Sequence, residues 1–210
     1  HHQRKGAAGR KEMKEQIKLG AVLLAAGKSE RFGSNKLLAS FGGRPLILRA
    51  LEAVKAVSAH KVCVVTGSEA VAELAQDYGF EAIRNPDAHL GQSHSIHLGI
   101  EAMQAMDAVL LMVCDQPRLT GTSLTRLADV FCASAKGIAC LKDETHMGNP
   151  AVFSKAYFPD LLAISGDRGA KGILKAHVDD LSVVSCLHER ELMDADTPQA
   201  LADMQQFADN

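Results

Sequence analysis

What most constrains this chain is an alternation. From residue 21 onward, short aliphatic and β-branched runs take turns with stretches of helical spacing. Runs at 21–26, 61–66, 81–85, 108–114 and 138–142 read as strands. Stretches at 45–57, 69–78 and 120–135, and one opening at Ser93, read as helices. In the first helix Ile47, Leu51, Val54 and Ser58 fall on one face, with Arg49, Glu52 and Lys55 opposite. Pro45 suits the first turn, where its missing N–H costs nothing. Ser93 suits the cap of a helix whose apolar face is Ile96, Ile100 and Met103. The run 108–114 is continuously apolar and ends in Asp115, the signature of a strand covered on both faces. The last third is less regular, with a strand at 150–153, helices near 155–163 and 170–176, a strand at 181–186 and a helix from Pro198. Strand–helix alternation of this kind implies a mostly parallel, Rossmann-like sheet inside one three-layer α/β/α domain over residues 17–210.

Composition narrows the function classes. Aromatic residues are 4% with no Trp, too few for a platform on which single-stranded bases stack. The net charge is −2, and residues 1–20 alone carry +4, which leaves −6 on the remainder. A body of that sign is a poor non-specific binder of nucleic acid. No uncharged apolar run approaches the ~20 residues that span a membrane. The five cysteines form no Cys-x-x-Cys pair or metal spacing, and they read as packed, reduced thiols. Together with the lack of a signal peptide, that predicts a cytoplasmic protein. The basic stretch 1–16, opening on His1-His2, reads as a tag or a disordered segment, with Met13 a native start.

The unusual residues stand where predicted strands end, and in open parallel sheets that edge holds the ligand. The first strand runs into Leu24-Ala25-Ala26-Gly27-Lys28-Ser29-Glu30-Arg31-Phe32-Gly33-Ser34-Asn35-Lys36-Leu37-Leu38. Small residues can present successive backbone N–H groups as an anion nest. Arg31 adds a planar fork and Lys36 a point charge. The loop is neither a Walker A motif, since five residues separate Gly27 and Gly33, nor a Gly-x-Gly-x-x-Gly fingerprint. The other two sites are Cys114-Asp115-Gln116-Pro117 and Asp194-Ala195-Asp196-Thr197-Pro198. Asp115 and Asp196 could supply the one or two carboxylates that Mg²⁺ takes beside substrate phosphates. Each also has a plain reading, as a turn residue and as a helix cap. His94, His97 and Glu101 share a helical face opposite the apolar residues and read as solvated. Asp143 and Glu144 read as a solvated loop.

The stretch from Leu24 to Leu38 resembles the signature loop of the MobA-like nucleotidyltransferases. Further matches follow in that family's order: Thr66-Gly67, Asn85, Gly91-Gln92-Ser93-x-Ser95, Cys114-Asp115-Gln116-Pro117, Gly148-Asn149-Pro150, Gly166-Asp167-x-Gly169-Ala170-Lys171 and Asp194-x-Asp196-Thr197-Pro198. The last two blocks look most like molybdenum cofactor cytidylyltransferases. The resemblance covers about residues 19–207 and implies the nucleotide-diphospho-sugar transferase type of fold. It also implies roles. Leu24, Ala25, Ala26 and Gly27 would hold the nucleotide through backbone groups, and Arg31 and Lys36 its triphosphate. Thr66, Asn85, Gly91 and Ser93 would surround base and ribose. Asp115 and Asp196 would hold Mg²⁺, and Gly148, Asn149, Asp167 and Lys171 would face the acceptor. His97 and Asn149 depart from the basic residue and the His that relatives often carry there.

The expected activity is therefore a Mg²⁺-dependent transfer of CMP from CTP to the terminal phosphate of molybdopterin bearing molybdenum. Pyrophosphate would leave, and a molybdoenzyme would be the client. Two other readings stay open: transfer to methylerythritol phosphate or a sugar phosphate, and a non-catalytic carrier of the cofactor. The methyl of Ala26, where guanosine-using relatives tend to carry Gly, would narrow the base pocket against a purine.

Overall fold

The computed structural model describes residues 17–25 and 35–208. The chain runs β1 (Leu19–Leu24), β2 (Ser40–Phe41), β3 (Arg44–Pro45), α1 (Ile47–Lys55), β4 (Lys61–Thr66), α2 (Glu69–Asp77), β5 (Glu81–Arg84) and α3 (Gln92–Ala102). It continues with β6 (Ala108–Val113), α4 (Gly121–Ala133), β7 (Ile138–Lys142), β8 (Met147–Ser154), α5 (Phe158–Leu162), α6 (Lys171–Ala176), β9 (Leu181–Ser185) and α7 (Pro198–Ala208). Seven strands form one sheet in the order β5-β4-β1-β6-β8-β7-β9, and β2 and β3 form a separate hairpin. All neighbours in the main sheet are parallel except β8, which is antiparallel to both β6 and β7.

The strand period of two explains the layers. In β1, Ala21 and Leu23 point into a core shared with α1, α2, α4 and α7, while Val22 and Leu24 point into one shared with α3, α5 and α6. All six residues of β1 are buried. Fully burying a Leu or Val side chain is worth roughly 1.5–3 kcal/mol, so this strand anchors both cores. Helix α3 lies very close to the sheet. A Cβ on Gly99 would collide with both methyl groups of Val22. Among the described residues no helix is long and apolar enough to cross a membrane.

Several expectations shift. Pro45 lies in β3 and not in the first turn of α1, which opens at Ile47. The proline therefore closes a hairpin before the helix starts. Ser58 lies beyond α1 and is exposed. Ser93 is not a cap, because α3 already includes Gln92 and Gly91 precedes it at φ +131°. The strand expected at 150–153 extends over Met147–Ser154. The helix expected near 155–163 is a 3₁₀ turn, Lys155–Tyr157, followed by α5. Ser68 and Thr120 do cap helices, accepting from the N–H groups of Val71 (3.3 Å) and Ser123 (3.1 Å). Residues 1–16, read from sequence as a tag or disordered segment, lie outside the described residues.

Candidate functional site

Parallel strands β1, β4 and β6 end on one edge, so Ala25, Thr66-Gly67 and Cys114-Asp115 emerge side by side. Asn35 caps the 3₁₀ turn Lys36–Leu38 by accepting from the N–H of Leu37 at 3.0 Å. That turn directs Lys36 at the end of β6. Its Nζ donates to Oδ2 of Asp115 at 2.8 Å and lies 3.6 Å from Oδ1 of Asp196. Three residues read from separate motifs thus form one cluster. Ala26, Gly27 and Arg31, assigned to the nucleotide from sequence, lie outside the described residues.

The cluster has more negative than positive charge. Asp194, quoted in a motif but given no role, joins it. Burial pushes its carboxyl up to about 6, and the charges of Asp115 and Asp196 push the same way. The other oxygen of Asp115, Oδ1, is buried with no hydrogen-bond donor among the described residues. A buried carboxylate oxygen left unpartnered is costly and invites a cation or a donor. An all-oxygen set with an orphaned carboxylate oxygen fits a hard divalent ion such as Mg²⁺. Among the described residues no three His, Cys, Asp or Glu side chains form a ready metal cage. A two-carboxylate site would instead draw its remaining oxygens from substrate phosphates and water.

Residues assigned to the nucleotide separate into two kinds. Thr66 and Asn85 stand at the right edge but are fully buried. The Asn85 amide donates to Ser95 Oγ at 2.8 Å and its Oδ1 accepts from the N–H of Asp87 at 3.0 Å, while Thr66 Oγ1 accepts from the N–H of Ser68 at 3.0 Å. These bonds brace the floor of the edge and tie it to the loops after β4 and β5. The N–H of Ala25 donates to the Val65 carbonyl at 2.8 Å, so it prolongs the sheet and offers no donor to a phosphate. Gly91 and Ser93, by contrast, sit against the acceptor-side segment. The N–H of Ser93 donates to the Gly166 carbonyl at 3.3 Å. A Cβ on Gly91 would lie 2.6 Å from that carbonyl oxygen and 2.8 Å from Asp167 Oδ1.

The acceptor-side residues gather around a cavity of about 190 Å³. Gly148, Asn149 and Lys171 line it together with Leu24, at the end of β1, and Gln92 of α3. Ile96, Ala151 and Phe153 make its wall apolar. Asp167 is exposed and is not part of the cavity's lining. Gln116, beside Asp115 in the Cys114–Pro117 motif, ties the region together. Its Nε2 donates to the Asn149 carbonyl at 3.0 Å and points to the Leu192 carbonyl at 3.4 Å. Oε1 of Gln116 and Oδ1 of Asn149 are buried acceptors without a donor.

Two surface readings need correction. His94 and Glu101 are exposed as expected, but His97 is half-buried with Nε2 2.7 Å from the Ile164 carbonyl. The Asp143 side chain is 1% exposed and not solvated. Its Oδ1 accepts from the N–H groups of Thr145 (2.9 Å) and His146 (2.7 Å), and its Oδ2 from that of Leu192 (3.1 Å). Glu144 accepts from the N–H of Arg190 at 3.1 Å. The cysteines are free. Cys63, Cys114 and Cys140 are buried, and burial pushes the Cys63 thiol up to about 12. A second cavity, of about 490 Å³, lies between the β2–β3 hairpin and the start of α4. It contains none of the residues singled out as site candidates. Two of its arginines hold backbone carbonyls, Arg49 that of Pro117 (3.0 Å) and Arg118 that of Met204 (3.2 Å).

The chain resembles known proteins over most of its length. The profile of the MobA-like NTP transferase domain matches residues 21–181. The purine catabolism protein PucB of Bacillus subtilis is 29% identical over 190 residues, covering 85% of this chain and 91% of that protein. A probable molybdenum cofactor guanylyltransferase of Pyrococcus horikoshii is 29% identical over 159 residues, covering 76% of this chain and 79% of the relative. Among solved structures, a nucleotidyl transferase from Methanothermobacter superposes with a TM-score of 0.78 at 21% identity, covering 92% of this chain and 99% of its own.

Proposed function

Because the chain belongs to the MobA-like NTP transferase family, we propose that it transfers CMP from CTP to the terminal phosphate of the molybdenum cofactor, using Mg²⁺ and releasing pyrophosphate. The observation that carries this reading is the meeting of Lys36, Asp115 and Asp196 at the carboxyl edge of the sheet, with one Asp115 oxygen left without a donor.

In this reaction a terminal phosphate oxygen of the acceptor attacks the α-phosphorus of CTP. The bond from that phosphorus to the bridging oxygen breaks, pyrophosphate leaves with the electron pair, and a new diphosphate bond remains. A phosphate monoester is already largely ionised near neutral pH, with a second pKa near ~6. The attack therefore needs no general base, and the residues act by alignment and charge. Lys36 places one positive charge beside the triphosphate, reinforced by Arg31. Asp115 and Asp196 would hold Mg²⁺, which when bound supplies charge neutralisation on the phosphates. Lys171 sits on the rim of the apolar cavity, suited to an acceptor with a ring system at one end and a phosphate at the other. Gly91 and Ser93 join the nucleotide side to the segment holding Asp167.

The test is to incubate the protein with Mg²⁺, each nucleoside triphosphate and molybdenum cofactor, and to identify the product by mass. A cytidine dinucleotide form of the cofactor is expected with CTP. Product with GTP alone would overturn the base assignment. Product only with methylerythritol phosphate or a sugar phosphate would overturn the acceptor. Tight cofactor binding with no product from any triphosphate would indicate a delivery protein.

A further inference from the structure

The segment between β9 and α7, residues 186–197, contains no helix or strand, yet it must carry Asp194 and Asp196 to the cluster. Side chains hold it in place of a ladder. Within the polar run His188-Glu189-Arg190-Glu191 the first three residues are exposed, while Glu191 is 1% exposed. A buried carboxylate is tolerable only when donors surround it. Here there are four. Oε1 accepts from the N–H of Thr120 (2.9 Å) and from its hydroxyl (2.7 Å). Oε2 accepts from the Ser123 hydroxyl (2.8 Å) and the His188 N–H (2.9 Å). The first three donors belong to the capped start of α4, so the segment is fastened to a rigid helix by charge-assisted bonds. The N–H of Leu187 adds a fifth tie, donating to the same Ser123 hydroxyl at 3.1 Å.

From that anchor the chain has five residues to Asp196. The next residue, Leu192, is held by Asp143 and Gln116, and the N–H of Ala195 donates to the Asp115 carbonyl at 2.9 Å. An apolar residue at 191 could be buried as well, but it would not fix direction. We infer that Glu191 is a positioning residue that sets Asp196 against Asp115 and thereby tunes the affinity for a divalent ion. The inference rests on the reading of Asp115 and Asp196 as the metal-holding pair.

The test counts free Mn²⁺ by electron paramagnetic resonance during titration of the purified full chain, without nucleotide. Asp196→Asn should weaken binding, and Glu191→Gln should weaken it about 10-fold, the lower end of what outer-shell changes cost a metal site. Tyr157→Phe is the stability control. It removes the Tyr157–Asp180 hydrogen bond at the opposite edge of the sheet and should leave Mn²⁺ affinity unchanged at a comparable loss of Tm. Normal Mn²⁺ binding by Asp196→Asn would overturn the metal reading itself. Weak binding by Asp196→Asn with wild-type binding by Glu191→Gln would overturn the positioning role alone. If Glu191→Gln fails to fold, Ser123→Ala keeps the carboxylate and removes one donor. It should weaken binding about 2–5-fold by the same argument, and wild-type affinity would overturn the inference.

Discussion

Lys36 and Asp115 are 79 residues apart in sequence, and their side chains meet at 2.8 Å with both about four-fifths buried. No local signal links them. They meet because β1 and β6 are parallel neighbours ending at one edge, where the Lys36–Leu38 turn also lies. In the proposed reaction Lys36 would meet a phosphate and the second Asp115 oxygen a cation.

Asp115→Asn should separate chemistry from folding. The amide keeps the shape and can still accept from Lys36, while Asp196 remains near that ammonium. Turnover should fall at least about 10²-fold, the scale of losing one electrostatic stabiliser, with Tm shifted by only a few degrees. Steady-state kinetics and thermal unfolding check this. Wild-type turnover in Mg²⁺ would remove Asp115 from the site.

Ala26→Gly should relax selection against a purine. One methyl in a pocket is worth roughly 1–3 kcal/mol, or about 10–200-fold. The ratio of kcat/KM for CTP to that for GTP should fall by a factor in that range. An unchanged ratio would place base selection elsewhere.

Gly91→Ala should act on the acceptor more than on the nucleotide. The residue sits at φ +131°, and its new methyl would press on the Gly166 carbonyl and Asp167. Strained backbone of this kind costs of order 1–3 kcal/mol. The expected result is a lower Tm and a KM for the acceptor raised more than the KM for the triphosphate.

Acid should weaken the arm that carries Asp194 and Asp196. Burial pushes the Asp143 carboxyl up, but the N–H groups of Thr145, His146 and Leu192 outweigh it and hold the group below its usual value. A depressed folded pKa means stability that is fully present above the unfolded value of about 3.9 and is lost as pH falls through the folded value. Asp143→Asn should therefore cost about 1.5–3 kcal/mol at pH 7, the range for a hydrogen bond to a charged group. The gap from wild type should close below about pH 3.9. Denaturant melts of both proteins at pH 7 and near pH 3 test the sign. A gap that widens in acid would contradict it.

Much of the architecture was legible along the chain, because it depends on periods of two and 3.6 that neighbouring residues record. The strands Lys61–Thr66 and Ile138–Lys142 coincide with their apolar runs. Thr120 ahead of an apolar stripe correctly marks the start of α4. Strand order left no such trace. That β8 runs antiparallel between β6 and β7 follows from non-local pairing. Polar contacts between distant segments leave none either. Asp143 reads as a solvated charge because composition gives no sign of the Leu192 N–H 49 residues away, and nothing local marks Glu191, whose Thr120 and Ser123 donors lie 68–71 residues away. The bond from the Asn85 amide to Ser95 likewise has no trace in the sequence.

By itself the sequence determined the α/β layering, the carboxyl-edge placement of the unusual residues and the family, because each is written in local spacing and motif order. The tertiary structure decided which of those residues face one another, which polar side chains are buried and satisfied, and where an oxygen is left without a donor. Those outcomes depend on distances between segments far apart in the chain, and folding alone sets such distances.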